Sequence, residues 1–158
     1  MSLTHDTTTQ EYIEVIRDLE NEKKVARVKD IADRRGVSRS SVSIILNQLL
    51  EKDLIAHEQY GHVSLSRKGR RLANDLERRH QAIKEFLVKV LGVSEENAER
   101  DACKFEHDIS KESFTAFSGF LAFVENCPKN FKSMVNLFRN CGKYGSGERD
   151  CVDCPDNE

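Results

Sequence analysis

Apolar residues recur every three to four positions through most of this chain of 158 residues, with polar residues between them. This spacing places the apolar side chains on one face of an α-helix. The first such stretch, at 7–20, opens with threonines that can cap a helix and continues as an apolar stripe. The pattern predicts a helix that buries Tyr12, Ile13, Ile16 and Leu19.

Two shorter helical patterns follow and are separated by a tight turn. Val28, Ile31 and Ala32 share one face of the first, and Gly36 can adopt the left-handed conformation that commonly ends a helix. Ser38 has a suitable side chain to cap the second. Two short helices joined in this way make a helix-turn-helix. The inner face of the second helix is predicted to contain Val42, Ile45, Leu46 and Leu49.

The next segment reads as two short strands. Residues 54–58 and 62–65 flank Tyr60 and Gly61, which predicts a hairpin with a glycine at its turn. A helix-turn-helix followed by such a hairpin is a winged helix, and four consecutive local signals agree on it. The alternative is a winged helix that contacts only other proteins.

Helical spacing resumes at Ser66 and predicts a long helix to about residue 91, with His80 on its apolar stripe. Gly92 can end this helix, and Ser94 can cap another over roughly 95–108. A further helix, from Ser110 to Cys127, is apolar nearly all round, and a final helix is expected at 129–140. A short chain cannot cover such an apolar helix by itself, so a second subunit and hence a homodimer are expected.

Composition and charge change this picture little. A third of the residues are charged, 38% are apolar and the net charge is −2, so the chain as a whole does not indicate nucleic-acid binding. The slightly basic first 72 residues permit a DNA contact there. No apolar run could span a bilayer and the N-terminus lacks an export pattern, so a cytoplasmic protein without a membrane partner is expected.

Basic and hydroxyl side chains gather where the second helix of the helix-turn-helix begins. Recognition helices present their N-terminal residues to base edges in the major groove. Arg39 is the best candidate for a base contact, because a guanidinium matches the paired acceptors of guanine. The other candidates are Ser38, Ser40, Ser41 and Ser43, with Lys29, Arg34, Arg35, His62, Arg67 and Lys68 as expected phosphate contacts.

Three residues of the predicted helix at 95–108 suggest a metal site. Cys103, Glu106 and His107 are spaced i, i+3 and i+4, so a thiol, a carboxylate and an imidazole share one helical face. When deprotonated, all three bind transition metals. Adding His80 and the acidic pair of the first helix gives the predicted metal ligands: Glu11, Glu14, His80, Cys103, Glu106 and His107.

Each of these residues also has a simpler interpretation. An acidic pair on a surface helix is usually solvated, a histidine on an apolar stripe is often a hydrogen-bonded core residue, and Cys103 could be a small buried hydrophobe. Taken singly, these interpretations are preferred. Together they leave the Glu106 carboxylate in a partly buried seam, where a charge needs a partner that a divalent cation supplies.

The remaining cysteines crowd the end of the chain. Without an export signal, a disulfide scaffold is not expected. The final C-x2-C pair suits structural Zn²⁺ or an iron–sulfur cluster, but the other spacings fit no compact knuckle, and reduced thiols without a ligand are an equal alternative. A rival regulator would sense redox state or a small ligand through these residues: Cys127, Cys141, Cys151 and Cys154.

The chain resembles the DtxR/MntR family of metal-dependent transcriptional repressors. The resemblance is carried by residues 7–14, the helix-turn-helix, the wing around Gly61, Arg78 to His80, and the Cys-x-x-Glu-His sequence that ends at His107. It implies a homodimer in which bound metal raises the affinity for a palindromic DNA operator and represses metal-uptake genes.

Residue by residue, the resemblance mixes two subtypes. Glu11 and Glu14 match the acidic pair of manganese-type members, where the first is usually aspartate, whereas Cys103 matches the iron type. Lys84 and Glu99 stand where the iron type has a carboxylate and a histidine, which implies a damaged ancillary metal site. Fe²⁺ or Mn²⁺ is the expected effector: the thiol favours Fe²⁺ and also admits Co²⁺ or Zn²⁺, and the carboxylates keep Mn²⁺ possible.

These expectations define a chain with three parts. The fold is predicted to be mainly α, with an N-terminal winged helix-turn-helix DNA-binding domain at 1–72, an all-helical metal-binding and dimerisation domain at 73–140, and a cysteine-containing tail at 141–158. Metal held by both halves would set the distance between two recognition helices to about 34–36 Å. An enzyme is not expected, because no nucleophile-and-base pair and no glycine-rich phosphate loop occur outside the metal cluster.

Overall fold

The first helix, α1, spans Thr7–Lys23 in the computed structural model, which describes residues 6–23, 25–57 and 62–126 together with 133, 135 and 136. Its predicted apolar stripe is buried. The capping residue is Asp6, not one of the predicted threonines: its carboxylate accepts hydrogen bonds of 2.8 Å from the backbone N–H and the hydroxyl of Thr9. The bond from this backbone N–H is the main reason why the pKa of Asp6 falls to about 2.

The predicted helix-turn-helix is confirmed. Helix α2 spans Val28–Arg35 and ends at Gly36, whose φ of 65° is the left-handed conformation that glycine adopts without strain. Helix α3 spans Arg39–Glu51, and the hydroxyl of Ser38 accepts a hydrogen bond from the backbone N–H of Ser41 at its start. The buried residues of the two helices are Ile31, Ala32, Val42, Leu46 and Leu49.

A small antiparallel sheet completes the winged helix. Its strands are β1 (Ala26–Arg27), β2 (Ile55–His57) and β3 (His62–Leu65), in the order β1-β3-β2. Strand β1 was not predicted, and it pairs with β3 so that Ala26 lies opposite Val63. The turn around Gly61 lies outside the described residues.

The long helix α4 spans Arg67–Lys89. Near its start, Gly69 packs so closely on the chain that a Cβ there would overlap the carbonyl oxygen of Leu54. The chain divides into two compact units, Met1–Arg78 and Arg79–Glu158, and the boundary falls inside α4. The core of the first unit is built from α1, the helix-turn-helix, the sheet and the start of α4.

Two shorter helices belong to the second unit. Helix α5 spans Glu95–Asp108, and the hydroxyl of Ser94 accepts a hydrogen bond from the backbone N–H of Asn97, so the predicted cap is confirmed. Helix α6 spans Lys111–Asn126, and Phe117 packs on Phe86 of α4 with ring centroids 4.4 Å apart. The helix expected at 129–140 lies almost entirely outside the described residues. No helix in the described part of the chain is both long and apolar enough to cross a membrane.

Candidate metal centre and DNA-binding face

Helices α4 and α5 bring one carboxylate and two imidazoles together in the second unit. Glu106 is 1% exposed, although carboxylates are rarely buried without a partner. The Nδ1 atom of His80 lies 3.2 Å from Oε2 of this carboxylate. The Nε2 atom of His107 lies 3.7 Å from the other oxygen, Oε1. Three of the predicted metal ligands therefore converge within this unit.

The Glu106 carboxylate is only partly satisfied by these neighbours. Its Oε2 atom is buried and has no assigned hydrogen-bond donor among the residues that the structure describes, although Nδ1 of His80 lies 3.2 Å away. A buried anionic oxygen without a donor is costly. Two imidazoles and a carboxylate are ligands that divalent transition metals accept, so the donor set fits such a cation.

His80 is held from both sides. The Glu106 carboxylate raises the pKa of His80 above its usual value, although burial opposes the shift. The opposite ring nitrogen, Nε2, lies 3.1 Å from Oε1 of Glu99. A hydrogen bond to one ring nitrogen fixes the orientation of the ring and leaves the other nitrogen to bind metal, which is how outer carboxylates commonly serve metal-binding histidines.

Lys84 occupies the position beside Glu99 with its ammonium group. Its Nζ lies 2.7 Å from Oε2 of Glu99 and 3.6 Å from Oε2 of Glu95. The hydrogen bond from this ammonium is the main reason why the pKa of Glu99 is lowered. Lys84 and Glu99, the two residues at the expected position of a damaged ancillary site, therefore form an ion pair with each other.

The other predicted ligands lie in different surroundings. Cys103 is on α5 one turn before Glu106 and its side chain is exposed, which is contrary to the alternative of a buried hydrophobe. Glu11 and Glu14 are on α1 in the first unit. The Oε2 atom of Glu11 lies 2.6 Å from a guanidinium nitrogen of Arg35 at the end of α2. The four cysteines proposed for zinc or a cluster lie outside the described residues.

The exposed face of α3 contains the residues expected to contact DNA. Arg39, Ser40, Ser41 and Ser43 are all exposed, as is Ser38 before the helix. The serine hydroxyls are engaged within the helix: Ser38 lies 2.8 Å from those of Ser40 and Ser41, and the Ser43 hydroxyl donates to the Arg39 carbonyl. The same face presents three further exposed residues for which the sequence pattern gave no DNA-binding signal: Ile44, Asn47 and Gln48.

Several of the predicted phosphate contacts are already partnered within the first unit. Arg34 forms an ion pair with Glu22 at 2.7 Å, and Lys68 donates to the Lys52 carbonyl. Lys29 and Arg67 are exposed, and His62 is half-buried in β3. The basic residues of the winged helix are thus unequally available to a phosphate backbone.

A winged helix-turn-helix domain followed by a helical unit with clustered metal donors defines a class of protein, the metal-responsive DNA-binding regulators. Comparison with known families identifies the chain more closely. Residues 5–63 match the model of the iron-dependent repressor N-terminal DNA-binding domain. Residues 66–133 match the model of the iron-dependent repressor metal-binding and dimerisation domain.

Individual relatives agree with these matches. The transcriptional regulator MntR of Escherichia coli O6:H1 is 42% identical over 110 residues, which are 70% of each chain. The HTH-type transcriptional regulator MntR of Bacillus subtilis is 33% identical over 128 residues, or 81% of this chain and 89% of that one. The chain therefore belongs to the DtxR/MntR family of metal-dependent DNA-binding transcriptional repressors.

Solved structures show the same fold. A manganese-dependent transcriptional repressor in complex with manganese is 32% identical, with a TM-score of 0.64, over 73% of this chain and 53% of that chain. The manganese regulator SloR is 28% identical, with a TM-score of 0.62, over 76% and 56%. The matched region thus spans a little over half the length of these solved chains.

Proposed function

We propose that this chain represses metal-uptake genes in the cytoplasm in response to Fe²⁺ or Mn²⁺, and that it acts by binding rather than by catalysis. The observation that carries the proposal is the buried Glu106 carboxylate, which has an oxygen without a donor and lies between two imidazoles. A protein that only needed a stable core would not benefit from such a group. A divalent cation, when bound, supplies the missing positive charge.

Residues of both halves of the chain are proposed as metal ligands. His80, Glu106 and His107 would bind through nitrogen and oxygen, and Cys103 would add a thiolate. Glu11 and Glu14 are included because they match the acidic pair of manganese-type relatives. If both halves supply ligands, bound metal would favour the form of the dimer in which the first domain can bind DNA. Metal binding would then increase the population of this form.

The donor chemistry favours Fe²⁺ over Mn²⁺ by a small margin. Three carboxylates and two imidazoles accept either ion, whereas the soft Cys103 thiolate prefers the later transition metals. Two of the similar solved structures are manganese regulators, which keeps Mn²⁺ as the second effector. Zn²⁺ and Co²⁺ would also bind such a donor set.

The proposed operator is a palindrome. Two copies of α3 in a homodimer would enter successive major grooves, about 34–36 Å apart. We propose that residues 1–72 form the DNA-binding domain and that residues 73–140 form the metal-binding and dimerisation domain. Exposed Lys29, Arg67 and Arg39 would provide the positive charge that duplex DNA requires.

Operator binding measured with each metal tests this function. Fluorescence polarisation of a labelled duplex from the native promoter is recorded anaerobically with the full chain and Mn²⁺, Fe²⁺, Co²⁺ or Zn²⁺. Specific binding is expected to require metal, and Glu106→Gln is expected to weaken this response at least tenfold, because a neutral amide is a poor ligand. Binding that is equal with and without every ion would overturn the proposal.

The matched control is Glu96→Gln on the same helix. Glu96 is exposed, so its neutralisation removes the same charge without touching the candidate site. The control variant is expected to retain the metal response. An equal loss in both variants would show that the effect comes from net charge and would contradict a role for Glu106 as a ligand.

A further inference from the structure

Ile44 is an exposed isoleucine in the middle of the DNA-binding helix α3. It is 61% exposed, whereas Val42, Leu46 and Leu49 of the same helix are at most 2% exposed. At 100° per residue, Ile44 lies directly opposite the stripe formed by these three residues. It therefore has no place in the core, and its apolar surface projects from the face that a recognition helix turns toward DNA.

The hydroxyl groups near the start of α3 are engaged in building the helix. The Ser38 hydroxyl accepts the hydrogen bond that caps α3, and lies 2.8 Å from both the Ser40 and Ser41 hydroxyls. Ser43 donates its hydroxyl to the carbonyl of Arg39 at 2.9 Å. The Ser43 proton is therefore donated within the helix, and the hydroxyls of Ser38, Ser40 and Ser41 are partners of one another, which leaves these serines less available to donate to a base acceptor.

Two amide side chains flank Ile44 on the exposed face. Asn47 and Gln48 are three and four residues further along α3, so they are its neighbours on the helix surface. Both are exposed, and neither makes a side-chain hydrogen bond with any residue in the described part of the chain. Amide side chains of this type pair with the N6 and N7 atoms of adenine, and apolar side chains contact the methyl group of thymine.

We propose that Ile44 determines operator specificity by packing on the 5-methyl group of thymine in the major groove. Asn47 or Gln48 reads the adenine edge of the same or the adjacent pair, so the middle of α3 selects an A·T step. The inference depends on the DNA-binding role of the first domain, whose family match identifies the domain but not the residues that read bases. According to this inference, the residues at the centre of α3 recognise the bases, and not the serines at its start.

Removal of single thymine methyl groups tests the inference. A preferred duplex is first selected from a random pool with the full chain and MnCl₂, and each thymine is then replaced in turn by deoxyuridine. Wild-type protein is expected to lose about fourfold in affinity at one or two thymines of each half-site, the value of one buried methyl group. Ile44→Ala should bind the unmodified duplex about as weakly as wild-type protein binds the duplexes with deoxyuridine at those thymines. Its affinity should not change when these thymines are replaced.

Two other variants make the result specific. Ile44→Val keeps a β-branched side chain and is expected to keep the response to deoxyuridine. Val37→Ala removes another exposed aliphatic side chain, 42% exposed, from the turn before α3. This variant should also keep the response to deoxyuridine. Circular dichroism of each variant verifies that the helices persist.

The outcomes separate this inference from the proposed function. Selective binding of one duplex sequence without any effect of deoxyuridine would overturn the role of Ile44, as would an Ile44→Ala variant that still responds at the same thymines. Failure to select any sequence with metal present would instead contradict the proposed function. A wild-type response that disappears only in Ile44→Ala supports the inference.

Discussion

Arg35 and Glu11 neutralise each other where α2 ends against α1. Their charged atoms lie 2.6 Å apart, and the Arg35 guanidinium also lies over the Tyr12 ring at 5.3 Å from its centroid. Both residues were expected to serve ligands outside the first unit, Glu11 a metal and Arg35 a phosphate. Arg35 already neutralises the Glu11 carboxylate, so a metal bound there and the arginine would compete for the same negative charge.

Arg35→Met is therefore expected to strengthen Mn²⁺ binding by up to about fivefold, the upper range for a partly exposed ion pair. Isothermal titration calorimetry of the metal-free chain measures the change. Arg34→Met is the matched control: Arg34 is the neighbouring residue of α2, and the loss of its ion pair with Glu22 of α1 does not free a proposed ligand. Weaker Mn²⁺ binding in Arg35→Met than in the control would count against Glu11 as a ligand.

Helix α4 begins against the end of the helix-turn-helix, and glycine allows the close approach. A Cβ at Gly69 would overlap the backbone carbonyl of Leu54, which cannot move aside as a flexible side chain could. The same carbonyl accepts a hydrogen bond from the backbone N–H of Ser66, so it is fixed in place. The position of α4 in the first unit thus depends on the absence of one side chain.

Gly69→Ala is expected to lower the free energy of unfolding by about 1–3 kcal/mol, the usual cost of overpacking. Urea denaturation of the metal-free chain measures this change. The matched control is Gly119→Ala in α6, where a Cβ meets nothing within 4 Å, and which should stabilise by about 0.5–1 kcal/mol because alanine favours helix. Equal effects of the two substitutions would show that the close approach does not matter.

Large apolar side chains remain exposed across the second unit. Phe105 is 56% exposed, Phe123 54%, Phe120 42% and Leu91 40%. Phe105 also borders an apolar groove with Ile83, Ile109 and Phe117. Surfaces of this kind usually form contacts between subunits, and this region matches a dimerisation domain, so we expect the exposed aromatic residues to form part of the dimer interface.

Phe105→Glu is expected to shift the chain from dimer to monomer, because a glutamate would have to be desolvated at the subunit contact. Sedimentation velocity over a range of protein concentrations measures the shift. Lys104→Glu places the same side chain at a neighbouring exposed polar position and should leave the dimer intact. A Phe105→Glu variant that dimerises as well as this control would exclude Phe105 from the interface.

The sequence alone determined the features that depend on neighbouring residues. The apolar stripe of α1, the glycine that ends α2 and the serine caps of α3 and α5 all follow from contacts within a few positions. The spacing of Cys103, Glu106 and His107 on one helix follows in the same way. Local spacing and local hydrogen bonds are enough to define such elements.

Only the tertiary structure decided which side chains meet and which are buried. Strand β1 has two residues, too few for a pattern, and exists because it pairs with β3. Cys103 and Glu106 are one helical turn apart, yet the thiol is exposed and the carboxylate is buried beside His80. Burial and long-range pairing depend on how distant segments pack, and no local pattern contains that information.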